Sequence, residues 1–492
     1  MKKKLIILVI LLIVFSFLSL FQKIYYENQK IAGTLSSKIS SILPSDLKKF
    51  LKETIFIVPT LKRESDNYLR ASKHFRYKSK NIESKYNLTL EHINTSENPK
   101  NSILIKKINE DIINIDKKKF SLEYFQLSSL KNPKHSNAIS TAYLNEFENK
   151  IILGTGDGDF YYFSNKEIFK NKFLAKKINS NIDEILNYPE FREKSMYGLK
   201  DIFIKNNKIF ISSSSEKEKN CFNTSIYSSE INFSFFNFET LHSPDCVLRE
   251  LKAINSFTPY TTGGRIVNYD KDHVLFSIGE WGNRLLAQNI ETNLGKIVKI
   301  NTSNFDTKII SMGHRNPQGM YFDEKNKTLI TTEHGEVDGD EINVNKEVDE
   351  KIVNFGWPIS SYSTGFYGED YWRKKGITFE KMPLYKSHSK YGFQEPIKYY
   401  TPAVGISQII KIDEKFKKND KHEFFLAKMG SATSPGLGFS FIKFDSKYEK
   451  LEEEKHFFLN ERVRDIVYVD NLNKYFFFFG TSGSIGVLSE AN

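Results

Sequence analysis

The first apolar stretch of the chain lies at its N-terminus. Three lysines at residues 2–4 precede residues 5–21, which contain no charged side chain and are almost entirely apolar. A stretch of this kind is typical of a targeting signal or a membrane-spanning helix. Because no small-x-small cleavage site follows, we favour an uncleaved anchor at residues 1–24 over a cleaved signal peptide. Positive residues stay inside, so the pattern predicts a single-pass inner-membrane protein with the rest of its chain in the periplasm.

The next segment, residues 25–130, is polar and rich in lysine. One helical stretch begins in it at Ser45, directly after Pro44, and carries apolar residues at helical spacing. Amphipathic spacing more often reflects packing than recognition. We interpret the segment as a small, partly helical stalk that packs on the following domain or presents a surface to a partner.

From residue 131 to the C-terminus at 492, apolar strands alternate with polar turns in a weak repeat. In each copy an apolar strand meets a turn of Asn, Asp or Lys, and a second apolar strand ends at Gly or Ser. The copies are Thr141–Gly154, Gly198–Ser213, Gly264–Gly279, Gln318–Thr332, Ile406–Gly430 and Arg462–Gly480. Their starts lie roughly 50 to 90 residues apart, which leaves room for a four-stranded blade in each interval. The pattern predicts an all-β, six-bladed β-propeller, with a two-sheet sandwich as the less favoured alternative.

Composition supports strands and argues against a nucleic-acid partner. Aromatic residues make up 14% of the 492 residues, with 41 Phe and 25 Tyr, and such residues favour pleated, half-buried strands. The formal net charge of +11 comes mostly from single lysines scattered among polar residues, without a dense basic run. We therefore expect no nucleic-acid binding and interpret the lysines as a solvated surface.

The chain has two cysteines, Cys221 and Cys246, in one predicted strand-turn-strand region. Their spacing matches no zinc-binding pattern. In an exported protein a disulfide is expected, and two unpaired buried thiols are the alternative.

Three short motifs carry most of the candidate chemistry: Gly313–Gly319 (GHRNPQG), Thr332–Asn343 (TEHGEVDGDEIN) and Asn354–Pro358 (NFGWP). Arg315 and Asn316 stand just before a predicted strand, where a propeller presents loop residues to its axial cleft. A guanidinium and an amide there suit an anionic ligand such as a polycarboxylate.

The second motif has the character of a cation site. Its glycine-flanked turn at Gly335 frees backbone carbonyls for a hard cation, and the neighbouring acidic residues supply the negative field that calcium favours. The alternative interpretation is a blade turn with salt-bridged surface acids.

The order and spacing of the three motifs resemble the signature of the pyrroloquinoline-quinone-dependent glucose/sorbosone dehydrogenase family. The resemblance covers about residues 136–490, and further segments agree in order: Gly263–Ile266, Gln288–Asn289, Leu294–Ile297 and Arg462–Asp465. It implies a six-bladed propeller that binds pyrroloquinoline quinone (PQQ) above its central channel, with calcium holding the quinone. It also implies that a sugar or another alcohol is oxidised there and that a respiratory acceptor receives the electrons.

The resemblance also assigns site residues. Those carried over to quinone binding are Arg315, Asn316, Asp340, Arg462, Arg464 and Lys428, the last with Met429 as a one-residue register alternative. Gly335 and Glu336 match positions whose backbone carbonyls bind calcium, and the family's usual proline at the second position is replaced.

One position departs from the family pattern as the resemblance aligns it. Lys205 stands where a histidine that takes the alcohol proton is expected. A lysine with a pKa of about 10.4 stays protonated at neutral pH unless burial or nearby cations lower that pKa. Lys205 is therefore either the replacement catalytic base or a solvated turn residue.

Two functions follow from the sequence. The leading hypothesis is a membrane-anchored, periplasmic quinone-dependent oxidoreductase that oxidises a sugar or alcohol. The alternative is a non-catalytic propeller that uses the same pocket to bind carbohydrate or a protein partner at the cell envelope.

Overall fold

The computed structural model describes most of the chain after residue 44. The described residues are 45–115, 118–128, 140–249, 257–336, 338–363, 388–417, 422–430, 434 and 436–491, with the helical backbone alone at 45–64. Two compact units are present, Met1–Lys73 and His74–Asn492. The anchor predicted at residues 1–24 lies outside the described residues. In the part of the chain that is described, no helix combines the length and apolarity needed to cross a membrane.

One long helix precedes the strands. Helix α1 (Ser45–Thr95) begins at the predicted residue. In the second unit His74, Leu88 and His92 of α1 are buried. The shorter helices are α2 (Ile182–Ile185), α3 (Pro189–Glu193) and α4 (Glu414–Lys417), and single 3-10 turns lie at Pro99–Asn101, Asn165–Phe169, Arg284–Gln288, Ser389–Tyr391 and Asp470–Leu472.

The rest of the described chain is dominated by β-strands. The first fourteen are β1 (Ser102–Ile115), β2 (Lys118–Leu127), β3 (Ala142–Phe147), β4 (Lys150–Thr155), β5 (Phe160–Ser164), β6 (Lys172–Ser180), β7 (Leu199–Lys205), β8 (Lys208–Glu218), β9 (Cys221–Glu230), β10 (Phe235–Phe236), β11 (Glu239–His242), β12 (Val247–Leu248), β13 (Gly263–Asn268) and β14 (His273–Ile278). The others are β15 (Lys296–Asn301), β16 (Thr307–Met312), β17 (Pro317–Asp323), β18 (Thr328–Glu333), β19 (Asp340–Asn345), β20 (Val353–Asn354), β21 (Lys398–Tyr400), β22 (Ile406–Lys411), β23 (Glu423–Met429), β24 (Leu437–Phe444), β25 (Leu451–Phe458), β26 (Val463–Val469), β27 (Lys474–Phe479) and β28 (Ser484–Glu490).

Each of the six repeat copies found in the sequence is an antiparallel hairpin. The hairpins are β3–β4, β7–β8, β13–β14, β17–β18, β22–β23 and β26–β27. The sequence found them because a hairpin places both of its strands and its polar turn within one short stretch of chain. The prediction of strand pairs at these positions is confirmed.

Further strands extend every hairpin in a meander. The orders are β3-β4-β5-β6, β7-β8-β9-β11, β13-β14-β15-β16, β17-β18-β19-β21, β22-β23-β24-β25 and β26-β27-β28-β2. The short strands β10, β12 and β20 pair with β6, β9 and β16. The first strands contact one another in a closed cycle, β3 to β7, β13, β17, β22, β26 and back to β3. The fold is therefore all-β and propeller-like, as predicted.

Strands β1 and β2 correct the prediction of a stalk at residues 25–130. β2 pairs with β28 in the register Phe120↔Glu490, while β1 pairs with both β2 and β6. The last and first four-stranded sheets thereby join into one ten-stranded sheet. Residues 102–127 are thus part of the sheet structure. The polar composition of this segment did not indicate strands, because β1 exposes most of its polar residues. The apolar residues of β2, such as Phe120 and Leu122, are nevertheless fully buried.

Aromatic side chains fill the space between neighbouring sheets. Phe425 lies 5.0 Å from Tyr475 and Phe439 lies 5.1 Å from Phe477, as ring centroids, and all four side chains are buried. Such pairs add about 0.5–1.5 kcal/mol each beyond the area that they bury. The high aromatic content of the chain is therefore used mainly in packing sheet against sheet.

A buried ion triad joins the first strands near the centre of the ring. Nη1 of Arg265 lies 2.8 Å from Oδ1 of Asp201 and 2.8 Å from Oδ1 of Asp465, and the three side chains are at most 4% exposed. The second carboxylate oxygens accept backbone N–H groups, from Ile266 to Asp201 at 2.7 Å and from Leu144 to Asp465 at 2.8 Å. The triad therefore connects β3, β7, β13 and β26.

The two cysteines form the expected disulfide. Cys221 and Cys246 are bonded, with their Cα atoms 5.3 Å apart, and β12 pairs with β9 immediately beside the bond. The disulfide closes the outer part of the second four-stranded sheet.

We predict that Arg265→Met lowers the free energy of unfolding by about 3–5 kcal/mol, because it leaves two buried carboxylates without a counter-charge. Burial already raises the pKa of Asp201 to about 7, and removal of the arginine raises it further. The carboxylates then take up protons as the pH falls, so the deficit should be smaller at pH 5 than at pH 8. Urea unfolding at the two pH values measures this. Arg249→Met, at an exposed arginine, is the matched control, and equal effects of the two substitutions would contradict the role of the triad.

We also predict that the double substitution Cys221→Ser and Cys246→Ser lowers the free energy of unfolding by about 3 kcal/mol, since the bond closes a loop with a sequence separation of 25. Thermal unfolding with and without reductant provides the measurement. Reductant should lower the midpoint of the wild-type chain and leave that of the double variant unchanged.

Candidate functional site

The predicted site residues gather at one face of the fold, where the first strands begin and the second strands end. We call this the top face. Arg315 and Asn316 directly precede β17, Arg462 and Arg464 lie at the start of β26, and Gly335 follows the end of β18. Hairpin geometry alone brings these sequence-distant residues to the same face.

Asn316 is fixed in place by its neighbours and is only 3% exposed. Its Oδ1 accepts hydrogen bonds from the backbone N–H of Gly263 at 3.1 Å and from Nε2 of Gln318 at 2.9 Å, while its Nδ2 donates to the carbonyl of Tyr260 at 3.2 Å. The amide therefore holds the start of β13 against the start of β17.

Arg315 is half-buried and directs its guanidinium along the top face. Its Nη1 donates to the carbonyls of Gly335 at 2.9 Å and His334 at 3.3 Å, and the group lies 5.5 Å from the centre of the Trp357 ring. Burial lowers the pKa of Arg315, while the negative charge of Glu280 opposes that shift. Glu280 is itself 1% exposed, and in the described part of the chain its Oε2 has no hydrogen-bond partner.

Asp340 is occupied by backbone groups. Its Oδ2 accepts N–H groups of Val404 at 3.0 Å, Gly405 at 2.6 Å and Ile406 at 3.4 Å, and its Oδ1 accepts that of Gly335 at 3.2 Å. The carboxylate therefore shapes the top face by joining the turn at Gly335 to the segment before β22.

Arg462 and Arg464 are the most informative pair. Nη1 of Arg464 donates to Oε1 of Gln318 at 3.1 Å, and Nη1 of Arg462 donates to the carbonyl of Gly430. Within the described residues neither guanidinium has a carboxylate partner, and the buried Nε of Arg462 has no acceptor. Burial lowers the pKa of both groups, and the charge of Arg464 lowers that of Arg462 further. Buried cations without counter-charges favour the binding of an anion.

Gln318 connects this site to the ion triad, and sequence reasoning gave it no role. Its carbonyl accepts from Nε of Arg265 at 3.2 Å, its Oε1 accepts from Arg464, and its Nε2 donates to Asn316. Its presence in the GHRNPQG motif was the available signal.

A buried histidine network supports Arg315 from below, and it was not predicted. Ser311 Oγ lies 2.7 Å from His314 Nε2, and Nδ1 of His314 lies 3.2 Å from Oε1 of Glu333. Asn343 donates to the same Oε1 at 2.8 Å, while Oε2 of Glu333 accepts the backbone N–H of Arg315 at 2.9 Å. The motif residues between the predicted site residues thus fix the backbone that carries them.

Lys428 is engaged by a carboxylate and an aromatic ring. Its Nζ donates to Oε1 of Glu454 at 2.6 Å and lies 4.8 Å from the centre of the Tyr400 ring, and the residue is 3% exposed. Burial lowers its pKa, and the charge of Glu454 opposes the shift. The register alternative Met429 is also buried. Lys428 therefore forms an ion pair with Glu454 inside one sheet and contacts Tyr400 of the neighbouring sheet.

Gly335 and Glu336 offer oxygen atoms at the same turn. The carbonyl of Gly335 accepts from Arg315, and a Cβ at Gly335 would lie 2.0 Å from the carbonyl oxygen of Asp338, so only glycine fits. The carboxylate of Glu336 forms an ion pair with Arg284, and its buried Oε2 has no hydrogen-bond partner among the described residues. Among the residues that the structure describes, no group of three or more His, Cys, Asp or Glu side chains is placed to hold a metal ion. A cation here would therefore rely on carbonyls and one carboxylate.

Lys205 is not at the top face. It ends β7, and its Nζ donates to the carbonyls of Asp270 and His273, the second at 2.8 Å. These carbonyls belong to the turn after β13, whereas the first residue of β13 contacts Asn316. A strand of this length spans about 16 Å. The sequence-based role of Lys205 as the proton acceptor therefore has no support in this geometry, because the lysine stabilises a turn at the opposite end of the strands.

Comparison with known proteins identifies the family. The family model described as "Glucose / Sorbosone dehydrogenase" matches residues 172–485. The chain is 27% identical to the uncharacterized protein slr1608 of Synechocystis over 42% of its own length and 50% of the relative. It is 29% identical to aldose sugar dehydrogenase YliI of Escherichia coli over 30% of its length and 38% of that relative. The chain thus spans half or less of the curated relatives that it matches.

A solved structure shares the fold. The soluble aldose sugar dehydrogenase of Escherichia coli, in its apo-form, superposes with a TM-score of 0.54 and 17% identity, covering 76% of this chain and all of that one. The likeness at this identity concerns the fold. The matched family model includes the arginines, Asn316 and the Gly335 turn, and it extends over more than half of the sequence. The chain therefore belongs to the glucose/sorbosone dehydrogenase family.

Proposed function

We propose that the chain is a PQQ-dependent dehydrogenase that oxidises a sugar or another alcohol at the top face. The observation that carries this proposal is the pair Arg462 and Arg464, a half-buried and a buried side chain that have no carboxylate partner among the described residues, with the buried Nε of Arg462 lacking an acceptor there. The quinone is a tricarboxylate, and its carboxylates supply the missing negative charge. The relative in Escherichia coli that is named as an aldose sugar dehydrogenase supports a sugar as the substrate.

Each site residue has a defined task in this proposal. Arg462 and Arg464 bind carboxylates of the quinone, and Arg315 presents a third guanidinium beside the ring of Trp357. Asn316 and Asp340 keep the surrounding segments in place through their backbone hydrogen bonds. The quinone, when bound, would take up the two electrons and two protons that the alcohol loses as its carbon becomes a carbonyl. The chain therefore preorganises the site by holding the guanidinium groups of Arg315, Arg462 and Arg464 at fixed positions.

We further propose calcium at the turn that contains Gly335 and Glu336. A hard cation prefers oxygen ligands, and this turn offers backbone carbonyls together with the unpartnered Oε2 of Glu336. Arg315 donates to the Gly335 carbonyl in the absence of ligands. A cation at this carbonyl would repel the guanidinium of Arg315, which donates to the same oxygen.

The architecture that we propose around this site is a six-bladed propeller. The six four-stranded meanders and the closed cycle of their first strands support it. The anchor predicted at residues 1–24 would hold the propeller at the inner membrane on its periplasmic side, and a respiratory component there would accept the electrons. The same envelope location would suit the non-catalytic alternative.

The proposal is tested by titrating the purified chain with PQQ, with and without calcium, followed by dye-reduction assays across sugars and alcohols. Replacing both Arg462 and Arg464 by alanine should weaken quinone binding by at least about 100-fold, since each lost charge-assisted hydrogen bond costs about 1.5–3 kcal/mol. The control Lys346→Ala with Lys351→Ala removes the same charge from exposed positions. Binding without dye reduction would favour the non-catalytic alternative, and absence of binding by the wild-type chain would refute the assignment of the cofactor.

We predict that Lys205→Met leaves quinone affinity and the rate of dye reduction unchanged within about twofold, because its Nζ lies among carbonyls of a distant turn. Turnover numbers of the quinone-loaded wild-type and variant chains give the comparison. The same substitution should lower the melting temperature, since two hydrogen bonds to backbone carbonyls are lost. A loss of turnover at unchanged quinone affinity would restore Lys205 as the proton acceptor.

A further inference from the structure

Helix α1 reaches the segment that carries the quinone-binding arginines, although it lies outside the part of the chain that matches the family model. The hydroxyl of Tyr77 donates to Oε1 of Glu461 at 2.7 Å, across 384 positions of sequence. Glu461 is fully buried and directly precedes Arg462. An element outside the family match therefore contacts the side chain of the residue next to Arg462 in the proposed site.

The contact continues to Arg462 through a chain of hydrogen bonds. Oε2 of Glu461 accepts the backbone N–H groups of Thr481 at 3.2 Å and Ser482 at 3.3 Å. Oγ1 of Thr481 accepts the N–H of Arg462 at 3.0 Å, and the carbonyl of Arg462 accepts the N–H of Gly480 at 2.7 Å. The turn between β27 and β28 is thus tied to Glu461 on one side and to Arg462 on the other.

The electrostatics show what Tyr77 contributes. Burial raises the pKa of Glu461 to about 7, while hydrogen bonds from Ser482 and Tyr77 favour its ionised form. Burial and the neighbouring carboxylate raise the pKa of Tyr77 above its ordinary value, so the phenol keeps its proton and remains a donor. Without the hydroxyl, Oε1 of a buried carboxylate loses its donor from α1.

We infer that Tyr77 is a positioning residue for quinone binding: through Glu461 and Thr481 it fixes the backbone of Arg462, and so the direction of that guanidinium. The inference rests on the proposed function. It assigns to α1, a segment outside the family match, a part in the affinity of the cofactor site. Tyr77 itself touches neither the quinone nor the substrate.

The test compares Tyr77→Phe with Tyr86→Phe in the full chain. Tyr86 lies on the same helix and is 62% exposed, so its substitution removes the same atom without affecting the hydrogen-bond chain. Tyr77→Phe should weaken calcium-dependent PQQ binding about three- to tenfold, the loss expected for one buried hydrogen bond. The maximal rate of dye reduction at saturating quinone should stay that of the wild type, because the chemistry is unchanged once the quinone is bound.

A double-mutant cycle separates positioning from a general loss of structure. Thr481→Val removes the acceptor for Arg462 and leaves the contact of α1 intact. It should lower quinone affinity to a similar extent, and the combination with Tyr77→Phe should be less than additive. Equal affinities of Tyr77→Phe and Tyr86→Phe would overturn the inference, and so would an additive double variant.

Amide hydrogen exchange of the ligand-free chain distinguishes failure of this inference from failure of the proposed function. Tyr77→Phe should accelerate exchange at Thr481 and Ser482 while leaving the strands of the opposite sheets unchanged. If the wild-type chain binds no quinone, the proposed function fails, and faster exchange still supports the path from Tyr77 to Arg462. Unchanged exchange at these two amides refutes the path.

Discussion

The ion triad of Arg265 with Asp201 and Asp465 sets the geometry on which the top face depends. Ionised groups that are this deeply buried are tolerated only when they are paired and their remaining oxygen atoms accept hydrogen bonds, and both conditions are met here. Because the three residues come from different sheets, the pairing fixes how those sheets are spaced around the centre. The position of Arg464 depends on this arrangement. Arg464 is next to Asp465 in β26, and it donates a hydrogen bond to Gln318, whose carbonyl accepts one from Arg265.

Charge is distributed unequally between the two layers of this centre. In the triad, two carboxylates share one guanidinium, whereas the partners of Arg462 and Arg464 within the described residues are a carbonyl and an amide. Burial raises the pKa of both triad carboxyl groups, whereas the two guanidinium groups at the top face leave positive charge unneutralised among the described residues. An anionic ligand bound beside Arg462 and Arg464 would neutralise their positive charge.

Local patterns account for what the sequence predicted well. The six hairpins, the start of α1 at Ser45 and the disulfide each depend on residues that are close in the chain, so their signals lie within short windows. Strands β1 and β2 were missed because their partners lie in β28 and β6, far along the sequence.

At the site, the motifs identified the arginines, yet the roles of Gln318 and Glu280 come from three-dimensional contacts that spacing cannot encode. The sequence expectation put Lys205 beside the quinone, but the structure places it at the opposite end of β7. A motif alignment shows that a residue lies in a strand, and it does not show which end of the strand faces the site.

The pairing of β2 with β28 has a consequence for how the molecule forms. Residues 120–126 hydrogen-bond with residues 484–490, so the last sheet is completed only by chain segments made at nearly opposite times of synthesis. Closing so long a loop costs conformational entropy before any contact repays it, and folds dominated by such pairings form slowly. Until the C-terminal strand arrives, the early strand has an unpaired edge that is open to wrong partners. The ring therefore closes only after β28 has been made, and this closure joins the last sheet to the first through β2 and β1.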